Sequence, residues 1–140
     1  MKKEKAYCQV CDIDVDYYVK ESTREGKIRG FTFTYPFLEA YCVKCNERVF
    51  PRSIGKTNWI NELDAYKKKV GLLTSKEIIE IRKKLGLTQQ GLAELMGCGL
   101  KTITRYENGG IQDRVFDNFI RCLELMYDNK VRYTQVLKYQ

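Results

Sequence analysis

Aromatic and aliphatic residues alternate with polar residues in the N-terminal part of the chain, as they do in a β-strand with one buried face. The alternation is clearest in the run FTFTY, which begins at Phe31 inside a stretch, 28–41, that is rich in strand-forming residues. A second such stretch, 14–23, precedes it, and the segment around Gly26 between the two can turn. The pattern therefore predicts a β-hairpin with its turn at residues 25–27.

The apolar spacing changes to that of amphipathic helices after residue 73. Capping residues start three of these helices and glycines follow three of them, namely Thr74 or Ser75, Thr88 and Asp113 at the starts and Gly86, Gly97 and Gly109 at the ends. The fourth helix is predicted to bury one side, formed by Phe116, Phe119, Ile120 and Leu123. The third helix is short, from Leu100 to Tyr106, and a fifth is predicted from Lys130 toward Tyr139.

A further helix is predicted between these two regions, because Ile60, Leu63 and Tyr66 follow helical spacing and Gly71 is placed to end it. The chain then divides into three parts, which are an N-terminal domain at 1–53, a linker helix at 54–72 and a C-terminal domain at 73–140. This organisation predicts an α+β fold, in which a small β-rich module precedes an all-α domain of five helices.

Composition and charge narrow the class of protein only slightly. Charged residues make up 31% of the chain and hydrophobic residues 44%, which is typical of globular proteins. The sequence has neither a long apolar run nor a secretory signal, so we expect a cytoplasmic protein without membrane contact. The net charge of +7 is shared by both halves of the chain, and it favours a polyanionic partner without requiring one.

Six cysteines occur in a chain without histidine, and four of them form two C-x-x-C pairs. The pairs are Cys8 with Cys11 and Cys42 with Cys45, with thirty residues between them. Each pair can grip one ion, and Zn²⁺ needs two such pairs to complete its tetrahedron, which leaves no open position for catalysis. We expect one structural Zn²⁺ per chain, with iron in the same cage or free thiols as the alternatives. The missing export signal disfavours disulfides, and the missing βαβ pattern disfavours a thioredoxin-type redox role.

The short third helix carries the pattern that bears most directly on function. With Ile103 and Tyr106 facing the core, four basic or hydroxyl residues face outward, namely Lys101, Thr102, Thr104 and Arg105. Cationic side chains can reach the guanine edge, and hydroxyls can reach phosphate. The pattern favours DNA binding by this helix, and packing within an all-helical bundle is the alternative.

The segment GLTQQGLAELMGCGLKTITRYENG resembles the Xre/Cro family of helix-turn-helix regulators. The resemblance rests on a glutamine that opens the second helix and on an aromatic residue followed by Glu-Asn-Gly that closes the third. It implies that Gln89 lies against a DNA phosphate and that Lys101 and Arg105 read bases. It also implies a buried ion pair between Arg82 and Glu107 that ties the first helix to the third.

The turn before the third helix departs from that family. Gly97-Cys98-Gly99 stands where a single glycine followed by a polar residue is common, so the recognition helix is expected to lack a side-chain cap. Cys98 is expected to be an ordinary residue of the turn, and exposure with a redox role is a minor alternative. Cys122 is expected to be a small core residue of the fourth helix.

The layout of the whole chain is similar to that of MqsA-like antitoxins, which carry a YgiT-type zinc domain before an Xre-type domain. The two C-x-x-C pairs, the short helix after them and the segment RYENGGIQD carry this resemblance. It implies a zinc domain that holds a toxin, and a homodimeric C-terminal domain that binds palindromic operator DNA and represses its own operon. A stand-alone transcription factor with a structural or sensing zinc module, and an interaction adaptor without DNA binding, are the alternatives. An enzyme is not expected.

Overall fold

The computed structural model describes residues 3–130, which form two compact units divided between Tyr66 and Lys67. The first unit is built on β-strands and the second on α-helices, so the predicted α+β fold is confirmed. The helix predicted from Lys130 toward Tyr139 falls on residues outside the described part of the chain. None of the described helices is both long and apolar enough to cross a membrane.

The described part of the first unit contains two antiparallel sheets. Their strands are β1 (Ala6–Cys8), β2 (Ile13–Val15), β3 (Tyr17–Ile28), β4 (Phe31–Cys42) and β5 (Arg48–Val49). β1 pairs with β2, and β4 lies between β3 and β5. β3 and β4 form one long hairpin that is paired along its whole length, whereas β5 pairs with β4 at Ala40 and Tyr41.

The hairpin turns at Arg29 and Gly30, so the turn predicted at residues 25–27 is wrong. Both turn residues have positive φ angles, 50° and 86°, which suit a two-residue hairpin turn. Gly26 lies within β3 opposite Phe33, and a β-carbon on it would come within 2.6 Å of the Phe33 ring. The glycine therefore makes room for an aromatic ring on the neighbouring strand and does not reverse the chain.

α1 (Arg52–Val70) begins directly after Pro51, and its residues up to Tyr66 belong to the first unit. The Asn58 side chain accepts a hydrogen bond from the backbone N–H of Leu38 at 2.7 Å. It also donates one to the Leu38 carbonyl at 2.8 Å. The amide thus pairs with the edge of β4 as a neighbouring strand would, and it fixes the start of α1 against the sheet.

Part of the first unit's core is mostly aromatic, with Tyr35, Leu63 and Tyr66 buried, and a separate, smaller cluster includes cysteines. Its buried members have short side chains, namely Ala6, Cys8, Val15, Ala40, Cys42 and Val49. Cys11 and Cys45 pack against this cluster. This cluster removes little apolar surface from water. A metal ion that links its cysteines would therefore contribute strongly to the stability of this unit.

Four complete helices lie in the described part of the second unit, which are α2 (Ser75–Lys84), α3 (Gln89–Met96), α4 (Leu100–Glu107) and α5 (Arg114–Asp128). The side chains of Thr74, Thr88 and Asp113 cap α2, α3 and α5 by accepting hydrogen bonds from backbone N–H groups. The apolar faces of the helices meet in one core, formed by Leu73, Ile78, Ile81, Leu85, Leu92, Ala93, Ile103, Tyr106, Phe116, Ile120 and Leu123.

The predicted environments of two residues in this unit are wrong. Phe119 and Cys122 lie on the exposed side of α5, although they were expected in its core. Because α5 carries apolar residues on two faces, periodicity alone did not show which face is buried. Cys98 is half-buried against the core, and this burial raises the pKa of its thiol above the ordinary value.

A buried carboxylate on α5 joins this helix to the segments before α2 and before α5. Asp117, in the first turn of α5, accepts hydrogen bonds from the Leu73 backbone N–H at 2.8 Å and from Gln112 Nε2 at 3.1 Å. Arg121 Nε donates a third at 2.9 Å. Burial raises the pKa of Asp117, but these three donors outweigh it, so the pKa lies below its ordinary value. The charged form of Asp117 therefore stabilises the fold.

Candidate metal centre and nucleic-acid interface

The four cysteines of the two C-x-x-C pairs come together at one end of the first unit. Cys8 is the last residue of β1 and Cys42 the last residue of β4, so each pair begins where a strand ends. Across the pairs, the Sγ atoms of Cys8 and Cys45 are 3.4 Å apart, and those of Cys11 and Cys42 are 3.9 Å apart. All four sulfurs lie within 4.8 Å of one another.

These distances fit a tetrahedral metal site. Zn–S bonds of about 2.3 Å place the sulfurs of a tetrahedron about 3.8 Å apart, whereas a disulfide requires about 2.05 Å. The cysteines form no disulfide, and the residues present therefore fit a divalent ion that prefers sulfur.

The two C-x-x-C turns share one backbone geometry. Asp12 and Asn46 each follow the second cysteine of a pair, and each has a positive φ angle, 55° and 61°. Their N–H groups donate to the carbonyls of Cys8 and Cys42 at 2.8 Å and 2.9 Å. Each turn is thereby closed, and both sulfurs of a pair point to the same side.

Backbone N–H groups also point at the sulfurs. The N–H of Lys44 donates to Cys42 Sγ at 3.3 Å, and that of Cys11 donates to Cys8 Sγ at 3.5 Å. Burial raises the pKa of the Cys42 thiol, but hydrogen bonds from the N–H groups of Cys45 and Lys44 outweigh it and lower the pKa to about 7. Burial and the neighbouring sulfurs raise the pKa of Cys11 to about 12. A metal ion would replace the protons that these sulfurs otherwise share.

α4 exposes two cationic side chains on one side, while its other side is buried in the core. Ile103 and Tyr106 are buried, and the Tyr106 ring meets the Phe116 ring edge-on with centroids 4.7 Å apart. Lys101 and Arg105 are exposed on the opposite side of the helix. The helix is therefore anchored by its apolar face and displays its basic one.

The two threonines of α4 are half-buried between these faces. The Thr104 hydroxyl donates to the Leu100 carbonyl at 3.1 Å, within the helix itself. Gly99 is the N-cap residue and supplies no side-chain hydrogen bond. The N–H of Thr102 donates to the Gly99 carbonyl at 3.1 Å, so among the described residues the N–H groups of Leu100 and Lys101 are left for other acceptors, and phosphate oxygens suit such a position.

A buried polar cluster holds the end of α4 to α2. Arg82 donates from Nε to Glu107 Oε2 at 2.7 Å and from Nη1 to the Leu87 carbonyl at 3.0 Å. Gln89, which the family resemblance places against phosphate, donates from Nε2 to Glu107 Oε1 at 3.1 Å. These contacts orient the Gln89 side chain at the first residue of α3.

Gly110 lies directly against Arg105, a contact that the sequence does not indicate, because Asn-Gly-Gly predicts only the end of a helix. Its N–H donates to the Arg105 carbonyl at 2.8 Å. A β-carbon on Gly110 would lie 2.6 Å from Arg105 Cγ and 2.8 Å from the Arg105 carbonyl oxygen. The chain after α4 therefore passes directly against the stem of Arg105 and supports that side chain from one side.

The sequence was compared with protein families and with known proteins, and both comparisons found a match. Residues 8–130 match the family model described as the antitoxin component of a bacterial toxin-antitoxin system, MqsA. Antitoxin MqsA of Escherichia coli (strain K12) is 32% identical over 74 residues. That alignment covers 51% of this chain and 56% of that protein, so the chain spans about half the length of the curated relative that it matches.

Proposed function

This chain belongs to the MqsA antitoxin family, and we propose that it is the antitoxin of a toxin-antitoxin pair that represses its own operon. In this proposal the helical unit binds operator DNA, and the β-rich unit, stabilised by zinc, neutralises the toxin. The protein acts by binding and catalyses no reaction. One observation supports the DNA-binding part most directly. The cations Lys101 and Arg105 are exposed on one side of α4, and the opposite side of the helix is buried in the core.

DNA binding follows from the chemistry of the side chains at this surface. Lys101 and Arg105 can donate to guanine O6 and N7 in the major groove, which admits an α-helix. Thr102 lies beside them, and Thr104 completes the polar face. In this proposal Gln89, at the start of α3, contacts a phosphate, and so do the N–H groups of Leu100 and Lys101 at the start of α4.

A homodimer fits this use of α4. Helix-turn-helix proteins commonly place two recognition helices in successive major grooves, so a palindromic operator is matched by a two-fold dimer. α5 offers surface for a second copy, because Val115 is 77% exposed and Phe119 is 40% exposed.

The proposed metal is one structural Zn²⁺ per chain, held by Cys8, Cys11, Cys42 and Cys45. The fit rests on the sulfur separations and on the N–H groups that face the sulfurs. When bound, zinc would cross-link the two C-x-x-C turns and add folding energy to the first unit.

Binding to the promoter of its own operon tests the DNA-binding function. Labelled promoter DNA would be titrated with the wild-type protein, with Arg105→Ala, and with Lys83→Ala as a control that removes an exposed charge from α2. We expect Arg105→Ala to weaken binding by about 1–3 kcal/mol and Lys83→Ala to change it far less. Equal affinity of all three proteins for this DNA would contradict the proposal.

A further inference from the structure

A cleft of about 520 Å³ lies in the first unit, where β4 and β5 meet the start of α1. Arginines from three elements line it, with Arg24 on β3, Arg48 on β5 and Arg52 on α1. Residues 1–66 carry 11 basic and 10 acidic side chains, so this unit is nearly neutral as a whole. The arginines of the cleft are thus a local concentration of positive charge.

Aromatic rings hold two of these arginines in place. The Arg24 guanidinium carbon is 3.5 Å from the centroid of the Phe37 ring, and that of Arg48 is 5.3 Å from the centroid of the Phe50 ring. A guanidinium that stacks through its face keeps its N–H donors free in the plane. The side chains are therefore oriented before any ligand arrives, which lowers the entropy cost of binding.

In the described part of the chain, several N–H groups of the cleft arginines lack an acceptor at hydrogen-bond distance. Glu39 lies 3.8 Å from Arg24 Nη2 and 3.7 Å from Arg48 Nη1, which is longer than a direct hydrogen bond. The Nε atom of Arg48 is buried and has no hydrogen-bond partner among the described residues. Arg52 is exposed at the first residue of α1. A ligand with paired oxygens that enters the cleft would satisfy the exposed N–H groups of Arg24 and Arg52, whereas the buried Nε atom of Arg48 is out of its reach.

We propose that the cleft receives acidic side chains of the toxin, as a docking site that rests on the toxin-neutralising function proposed above. Carboxylates match the forked donors of arginine in pairs of hydrogen bonds. Phe50, 79% exposed at the cleft, adds apolar surface of the kind that packs against protein side chains.

The same chemistry favours a protein over RNA as the occupant. Single-stranded nucleic acid is held by free aromatic faces along an extended basic groove. Here Arg24 covers a face of Phe37, and three of the eleven basic side chains of this nearly neutral unit line one cleft. A discrete acidic patch on a folded partner fits this arrangement better than a charged strand.

The test measures binding of the full-length zinc-loaded protein to the protein encoded by the adjacent reading frame. The variant Arg24→Gln/Arg52→Gln removes two charges from the cleft. Its matched control, Lys27→Gln/Lys56→Gln, removes two charges from the same strand and helix outside it. We expect the cleft variant to bind about tenfold more weakly, with a smaller salt dependence, and the control to bind like wild type. Zinc content and circular dichroism should be the same in all three proteins.

The outcomes separate this proposal from the one on which it rests. If the wild type binds the adjacent protein and the cleft variant binds equally well, the cleft proposal is wrong and the antitoxin function stands. The same conclusion follows if both variants weaken binding equally. If the wild type does not bind at all, the toxin-neutralising function fails and the docking site fails with it. If the cleft variant instead loses only binding to a labelled single-stranded RNA, the cleft is an RNA site and the proposal is overturned.

Discussion

Arg82 on α2 and Glu107 at the end of α4 are joined by two hydrogen bonds, with Nε 2.7 Å from Oε2 and Nη2 3.1 Å from Oε1. This is the paired geometry in which a guanidinium and a carboxylate interact most strongly. The Glu107 side chain is only 3% exposed, so the pair is shielded from water. It fixes the C-terminal end of the helix that we propose to read DNA.

Removing Arg82 should therefore destabilise the helical unit severely. Arg82→Met leaves the Glu107 carboxylate buried without its cation, which costs about 3–5 kcal/mol. The measurement is urea unfolding followed by circular dichroism at the helical band. Lys84→Met is the control, because it breaks exposed ion pairs with Glu124 and Asp128 that contribute about 1 kcal/mol or less. Equal losses of stability in the two variants would contradict a buried, structural role for the Arg82 pair.

Replacing one sulfur ligand should release the metal and unfold the β-rich unit. Cys42→Ser removes a buried thiol from the four-sulfur cluster, and we expect the purified variant to lose stoichiometric zinc. Near-ultraviolet circular dichroism reports the change, because the rings of Phe33, Tyr35 and Phe37 pack against one another in the folded hairpin. DNA binding should persist. Cys122→Ser, which alters an exposed cysteine on α5, is the control and should keep zinc. Full zinc occupancy in Cys42→Ser would rule out a site with four cysteine ligands.

Gly110→Ala should weaken DNA binding without unfolding the helical unit. The new methyl group would meet Arg105 Cγ and the Arg105 carbonyl, so the arginine or the loop must move. We expect a loss of about 1–2 kcal/mol in operator affinity, within the range for removing a base contact. Gly55→Ala, where a β-carbon meets nothing within 4 Å, is the control for inserting a methyl group elsewhere. If Gly110→Ala bound the operator as tightly as wild type, Gly110 would have no role in positioning Arg105.

The Asp117 carboxylate predicts a loss of stability in acid. Its pKa is lower in the folded state than the value of about 3.9 expected in the unfolded chain, so the folded state binds its proton less readily. The stabilisation is therefore complete above that unfolded value and is lost as the pH falls through the folded pKa. Asp117→Asn should cost about 1–3 kcal/mol at pH 7, because it disturbs two buried hydrogen bonds and a partly buried one from Arg121. Urea unfolding of both proteins from pH 7 to pH 3 should show this difference shrinking below about pH 4. A difference that does not change with pH would contradict the assignment.

Local signals predicted much of this fold. The caps Thr74, Thr88 and Asp113 mark helix starts because each side chain bonds N–H groups a few residues away, and such contacts depend on adjacent sequence. The repeated C-x-x-C spacing predicted the grouping of the four cysteines in the same way. In both cases the residue types and their spacing in the sequence are enough to predict the interaction.

Features that depend on distant partners could not be predicted. Gly26 was interpreted as a turn residue, because nothing nearby in sequence shows that the Phe33 ring needs its space. Arg29 adopts a positive φ angle that its residue type does not favour. The cleft with its three arginines joins residues 24, 48 and 52, which lie on two strands and a helix, and Arg24 and Arg48 meet there at the Phe37 ring.

The Asn58 amide that pairs with β4 has a consequence for how copies of this chain behave together. An uncovered strand edge offers a row of donors and acceptors on which another molecule can add a strand, which leads toward aggregation. Asn58 occupies both backbone groups of Leu38, and Asn61 donates to the carbonyl of Pro36, a residue that has no N–H to offer. Two asparagines on one helix thus occupy backbone groups along this edge of the hairpin. Fewer groups are left there for a strand of another chain, which disfavours the stacking of chains into fibrils.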